Sequence, residues 1–170
     1  VLTTRMEHHA NDLPFRRVAK MVYVEVDVLG RINIDDIEEE LIKANGKIKV
    51  VTITGASNVT GYITPIHDIA RLAHKYGAVI IVDGAQLIAH REVNLAGNSK
   101  DEEIDFLTFS AHKAYAPFGS GAIVGKKDYL NEEDPFLSGG GCVAGVFDER
   151  LIWTAVPEKY EAGTDRKSVV

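Results

Sequence analysis

At 170 residues, 45% hydrophobic and 26% charged, the chain has the length of one globular domain and can bury a substantial core. Its net charge of −6 and sequence pI of about 5.5 exclude the basic footprint of a nucleic-acid-binding surface. No apolar run approaches membrane-spanning length and no signal peptide is visible. The single cysteine, Cys142, excludes an intrachain disulfide framework, so a cytoplasmic location is expected.

Val1 to Thr4 is β-prone and leads into the polar cluster Met6-Glu7-His8-His9-Ala10-Asn11-Asp12. Asp12 is placed to cap a helix over Pro14 to Lys20, with the proline in the first turn, where its missing N–H is harmless. Val22, Val24, Val26 and Val28 alternate as in a strand, and Gly30-Arg31 turns the chain. Asn33 caps a helix with Asp35 and Asp36 in its first turn, an apolar stripe of Ile34, Ile37, Leu41 and Ile42, and Gly46 as its stop. Ile48 to Thr54 is the next strand, ending in Gly55-Ala56-Ser57-Asn58. Thr64-Pro65 opens a helix whose buried face is Ile66, Ile69, Ala70, Ala73 and Tyr76, stopped at Gly77. Ala78 to Val82 is a continuous apolar run, the pattern of a strand buried on both faces, and it ends in Asp83-Gly84-Ala85-Gln86.

An irregular crossover with an exposed loop over Asn94 to Glu103 follows. The strand Ile104 to Phe109 then runs into Ser110-Ala111-His112-Lys113, and Ala122-Ile123-Val124 is a further apolar strand. Beyond Lys126 the pattern weakens into a glycine-rich loop over Pro135 to Gly145 and a short strand within Val146 to Thr154. Strands alternating with helical crossovers predict an α/β fold: three layers, a mainly parallel sheet, helices on both faces. In such sheets ligands sit outside the carboxyl ends of the strands, where Ser57-Asn58, Asp83 to Gln86 and Ser110 to Lys113 fall together.

A lysine packed among buried strands is costly unless it has a partner or a covalent task, and Schiff-base formation with a carbonyl cofactor is such a task. The competing reading is a loop lysine whose head reaches water. A pyridine cofactor on Lys113 needs a carboxylate to keep its ring nitrogen protonated, and Asp83 is placed for this, or simply to cap the following turn. Gln86 suits the ring's phenolic oxygen or stands as a solvated amide. Ser110 and His112 suit a phosphate, or a local turn bond and a satisfied core histidine. Ala85 leaves room for a flat ring, and His8 can stack on its other face or stand exposed beside a helix start.

Val82-Asp83-Gly84-Ala85-Gln86 followed by Ser110-Ala111-His112-Lys113 resembles class V, fold-type I enzymes that use pyridoxal 5'-phosphate (PLP), in particular the cysteine desulfurase/selenocysteine lyase group. Met6 to Asn11, Ser57-Asn58, Gly139-Gly140-Gly141 and Tyr160-Glu161-Ala162-Gly163-Thr164 agree in the same order. The resemblance implies that Lys113 forms the Schiff base and shuttles protons, that Asp83 pairs with the pyridine nitrogen and that Gln86 reaches the phenolic oxygen. It implies that Ser110 and His112 bind the phosphate and that His8 stacks on the ring. Asn58 lies where the family contacts cofactor and substrate carboxylate. Gly163 and Thr164 match a segment reaching the phosphate of a neighbouring subunit, which implies a homodimer with shared sites acting on an amino acid. Cys142 follows the triple glycine where relatives tend to carry serine, and it is read as a small loop side chain rather than as the sulfur nucleophile.

Residues 1–170 are thus expected to be the central part of a PLP-binding large domain, with an N-terminal segment and a small C-terminal domain absent and the isolated piece incomplete as a catalyst. Rival readings are a class V aminotransferase of other specificity, a nucleotide-binding doubly wound domain, and a non-catalytic module retaining the fold. Against the nucleotide domain, no strand is followed by the glycine-rich fingerprint opening a helix.

Overall fold

The computed structural model of the protein describes residues 1–163, in two units: residues 1–124, and the chain from Gly125 onward. The first unit runs β1 (Leu2–Thr4), α1 (Leu13–Arg16), β2 (Val22–Val24), α2 (Ile34–Ala44), β3 (Val50–Thr54), α3 (Ile66–Lys75), β4 (Val79–Asp83), β5 (Phe106–Ser110) and β6 (Gly121–Gly125). The strands form one sheet in the order β2-β1-β3-β4-β5-β6, with β2, β1, β3, β4 and β5 successively parallel. This is the mainly parallel α/β sheet that the alternation of elements predicts.

Because side chains alternate across a strand, the register sorts the sheet into two unlike faces. Leu2, Val51, Ile53, Ile80 and Val82 share one face and are wholly buried. They form the core with Ile37 and Leu41 of α2 and with Ile69, Ala70 and Ala73 of α3. The other face carries Thr3, Thr52, Thr54, Asp83, Thr108 and Ser110. There Asn11 covers the middle of the sheet by accepting a hydrogen bond from the Thr52 hydroxyl at 2.7 Å.

Local chemistry accounts for the helices. Asn33 caps α2 by accepting from the Asp35 N–H at 3.2 Å, and the helix ends where Asn45 and Gly46 turn left-handed, at φ 45° and 75°. Lys75 and the Tyr76 hydroxyl both donate to Glu38, at 2.7 and 2.9 Å, tying α3 to α2. Asp105, 2% exposed, accepts from the Ile80 N–H at 2.9 Å and bonds the His74 ring at 2.8 Å, which locks α3, β4 and the entry to β5 together.

Several elements differ from expectation. The helix over 14–20 is a single turn, Leu13–Arg16. Asp12 makes no side-chain cap, because its carboxylate is taken by Arg16 (2.9 Å to Nε) and by the Tyr23 hydroxyl (2.7 Å). The valine strand stops at Val24: Val26 makes only a bridge to Ile32 and Val28 is fully exposed, since Gly30 reverses the chain at once. Ile42 is 57% exposed on the far side of α2, and Tyr76 is partly buried because its hydroxyl reaches Glu38. β4 is not buried on both faces. Ile80 and Val82 are buried, but Val79, Ile81 and Asp83 are only partly so, because they point to the threonine-rich face. Ala122, Ile123 and Val124 are exposed on the edge strand rather than packed in the core.

The second unit holds α4 (Lys127–Glu132) and a hairpin of β7 (Val143–Phe147) and β8 (Arg150–Trp153), two antiparallel strands where a single one is expected. Lys159 is buried because its ammonium donates to the Glu133 carbonyl at 2.8 Å. No helix among the described residues is long and apolar enough to cross a membrane.

Hydrogen bonding from Arg16 holds the Asp12 carboxyl below its ordinary range, and Tyr23 adds to it. A depressed folded-state pKa contributes stability above the unfolded carboxyl's pKa, and that contribution is lost as pH falls through the folded value. Asp12→Asn is therefore expected to lower the urea midpoint at neutral pH. The gap to the parent chain should close as pH drops below the carboxylate range, and a gap independent of pH would contradict the assignment.

Candidate active site

The strand ends, not the strands, carry the chemistry. Thr54, Asp83 and Thr108 are register partners across β3, β4 and β5 and form one row at the carboxyl edge. The ladder runs one bond further, the Gly55 N–H donating to the Asp83 carbonyl and the Gly84 N–H to the Thr108 carbonyl, each at 2.8 Å. Gly84 permits this close approach, since a Cβ there would lie 2.6 Å from the Leu107 side chain.

β5 breaks after Ser110 into a 3-10 turn, Ala111–Ala114, that carries His112 and Lys113. The turn closes at Tyr115, which is left-handed at φ 66°, a costly backbone state for a tyrosine and one placed beside Lys113. Lys113 is partly buried in this turn and does not lie between buried strands, since β6 beside it is exposed. The His112 ring stacks on Phe118 with centroids 4.9 Å apart.

His8, Asp83, Ala85, Ser110, His112 and Lys113 line one cavity of about 740 Å3 on the first unit. That volume lies in the range of small-molecule and cofactor sites. One oxygen of Asp83 accepts from the Ala85 N–H at 2.9 Å, so the carboxylate closes its own turn and still faces the cavity. His8 is exposed, and its Nδ1 accepts from the Ala10 N–H at 3.1 Å, which leaves the proton of a neutral ring on Nε2. The two readings of Asp83 as turn-former and as ligand partner, and of His8 as exposed cap and as ring cover, are thus compatible.

Asn58 and Gln86 are not brought to this cavity. They line a second one of about 710 Å3 with Ser57, His90 and Arg91. Gly163 belongs to the second unit, where its N–H donates to the Gly140 carbonyl at 2.8 Å and so joins two of the glycine-bearing motifs. Thr164 lies outside the described residues. Cys142 is fully buried; its thiol donates to the Gly139 carbonyl at 2.8 Å and accepts from the Gly139 N–H at 3.2 Å.

Sequence reasoning passed over three polar residues of the site. Thr108 and Asn11 line the first cavity, and Glu7 accepts a hydrogen bond from the Asn11 side-chain amide. Thr108 was recoverable from period two, being on the same side of β5 as Ser110. Burial pushes the Glu7 carboxyl up, hydrogen bonds from Thr4, Asn11 and the Thr54 backbone oppose this, and the Asp83 charge adds to the rise. Among the described residues no group of three or more His, Cys, Asp or Glu could hold a metal ion.

The mostly parallel six-stranded sheet with its helices is the fold of the PLP-dependent transferases. The chain belongs to the aminotransferase class-V family, whose model matches residues 1–168. It is 37% identical over 169 residues to the cysteine desulfurase of Haloferax volcanii, covering 96% of this chain and 38% of that protein. The corresponding enzyme of Synechococcus elongatus is 36% identical over 169 residues, with 96% and 26% covered. Among solved structures, the cysteine desulfurase CsdA of Escherichia coli superimposes with a TM-score of 0.84 at 31% identity, over 96% of this chain and 41% of that one. The apo cysteine desulfurase of Thermococcus onnurineus gives 0.84 at 32%, over 96% and 40%. The chain spans 24–40% of the length of these curated relatives.

With its thiol buried and bonded to backbone, Cys142 is expected to be inert toward a disulfide reagent in the folded protein and to react at once when urea unfolds it. Rapid labelling under native conditions would show the thiol to be available for chemistry.

Proposed function

We propose that the chain is the central part of the large, PLP-binding domain of a cysteine desulfurase, acting on cysteine in a homodimer with shared sites in the cytoplasm. The observation that carries this reading is the single cavity lined by Lys113, Asp83, Ser110, His112 and His8. The relatives named as cysteine desulfurases, matched over 96% of the chain, support the substrate class.

The donor set fits a phosphorylated pyridine aldehyde. It offers one amine for the aldehyde, one carboxylate for a ring N–H, and a hydroxyl with an imidazole for the phosphate, with the small Ala85 leaving space for a flat ring. When bound, PLP supplies a protonated pyridine ring that draws electrons from the amino acid attached to it. Lys113 holds the cofactor through Nζ and, once free, moves a proton at the substrate carbon. Asp83 accepts the ring N–H through its carboxylate and keeps that nitrogen charged. Ser110 and His112 anchor the phosphate end, and His8 covers one ring face and excludes water from it. The assignments of Asn58 to the cofactor and substrate carboxylate and of Gln86 to the phenolic oxygen rest on the resemblance, since both residues line the second cavity. Gly163 and Thr164 are assigned to the phosphate of the second copy. Selenocysteine is a substrate of the same chemistry, and measuring selenide against sulfide release from the full-length protein separates the two.

The test is covalent capture. Borohydride reduction of the chain incubated with PLP, followed by peptide mapping, is expected to place the label on Lys113. Lys113→Ala is expected to lose at least about tenfold of the label, because solution lysines elsewhere on the surface react only weakly. Label spread over surface lysines, or undiminished capture by Lys113→Ala in a folded sample, contradicts the reading.

A further inference from the structure

Glu7 is a partly buried carboxyl that the proposed chemistry does not use, yet both of its oxygens are engaged. Oε1 accepts from the Thr4 hydroxyl at 2.6 Å and Oε2 from the Asn11 side-chain amide at 2.8 Å. Asn11 is 6% exposed, and its own oxygen accepts from the wholly buried Thr52 hydroxyl at 2.7 Å. Thr52 in turn is fastened to β1, since the Thr3 hydroxyl donates to its carbonyl at 2.8 Å. One continuous chain of bonds therefore links the end of β1, the turn and the middle of β3.

His8 lies inside the loop that this chain closes. Its carbonyl accepts from the Asn11 N–H at 2.8 Å and its Nδ1 from the Ala10 N–H at 3.1 Å. Those bonds alone would hold a three-residue 3-10 turn that leaves His8, His9 and Ala10 exposed, and such turns open readily. A histidine ring on an open turn samples its rotamers and presents no fixed face to the cavity.

We propose that Glu7 is a positioning residue: it clasps the Glu7–Asn11 turn onto buried Thr52 and thereby fixes the His8 ring at the cavity mouth, ready to cover one face of a flat aromatic ligand. The nature of that ligand rests on the PLP reading given above; the clasp does not. The role is mechanical rather than ionic. Asp83 already supplies a carboxylate to the cavity, and a second negative charge beside it is unfavourable to both.

Two substitutions separate clasp from charge. Glu7→Gln keeps an oxygen for the Asn11 amide, and its N–H can donate to the Thr4 hydroxyl, which accepts as well as donates. Glu7→Ala removes the bonds to Thr4 and Asn11, and the Thr54 backbone bond with them. Hydrogen exchange on the chain without cofactor is expected to show the Ala10 and Asn11 amides about tenfold faster or more in Glu7→Ala, and within about twofold of the parent in Glu7→Gln. The Ile53 and Ile80 amides should be unmoved in both. With PLP added, the induced circular dichroism of the captured cofactor should match the parent in Glu7→Gln and weaken in Glu7→Ala while capture persists.

Parent-like exchange in Glu7→Ala overturns the proposal. So does Glu7→Gln behaving like Glu7→Ala with the sheet amides protected, since the charge would then be what matters. Should Glu7→Ala not fold, Thr4→Val removes one donor to Glu7, together with the long Met6 N–H contact to the same hydroxyl at 3.4 Å, and it must still speed Ala10 and Asn11 more than about twofold or the clasp is refuted. A parent chain that captures no PLP counts against the cofactor reading and leaves the exchange result to decide the clasp.

Discussion

The register of three parallel strands is the constraint on which the site depends. Pairing Thr54 with Asp83 and Asp83 with Thr108 puts the carboxylate in a fixed row, one bond from the point where each strand ends. A slip of one residue in β4 would turn Asp83 to the helix-covered face and bring Val82 to the cavity. What prevents the slip is apolar: Ile80 and Val82 are both wholly buried against α2 and α3 with Val51 and Ile53. The side chains that fix the chemistry's position are thus ones the chemistry never touches, an arrangement typical of ligand sites at the carboxyl edge of open α/β sheets.

The two faces of the sheet divide the labour. The aliphatic face, under α2 and α3, supplies the burial that stabilises the unit. The other face is lined with hydroxyls, and Thr3, Thr52 and Thr54 are nearly or wholly buried there with their hydrogen bonds made. Those hydroxyls give the Met6–Asn11 turn something polar to bind. A valine at position 52 would leave the Asn11 oxygen without its partner and the turn without its anchor.

Much of this was legible in the sequence. Apolar spacing placed α2, α3 and the alternation of strands and helices that makes a mainly parallel sheet, because burial against one face leaves a clean period. The same argument misread β4, where Val79-Ile80-Ile81-Val82 reads as buried on both faces although Val79 and Ile81 are only partly buried. Hydropathy records that a residue could be buried, not that a neighbour exists to bury it; β6 is the strand expected, yet its apolar residues are exposed. The site was legible as a set of strand ends, which is why His8, Asp83, Ser110, His112 and Lys113 converge. Its partition was not. That Asn58 and Gln86 line a separate cavity depends on the path of the loops after β3 and β4, which periodicity does not encode. Glu7 escaped notice because a glutamate in a polar cluster ordinarily reads as solvated; only the fold shows Thr4 and Asn11 closing on it.

The central claim is that Lys113, in the turn after β5, and Asp83, at the end of β4, act on one molecule. It is tested most directly by 15N NMR of PLP labelled at the ring nitrogen and captured on Lys113. The account predicts a protonated ring nitrogen near neutral pH in the parent chain and a neutral one in Asp83→Asn, with Lys113 still labelled in both. A ring nitrogen with the same shift in both proteins would show that Asp83 does not face the captured ring, and would contradict the account.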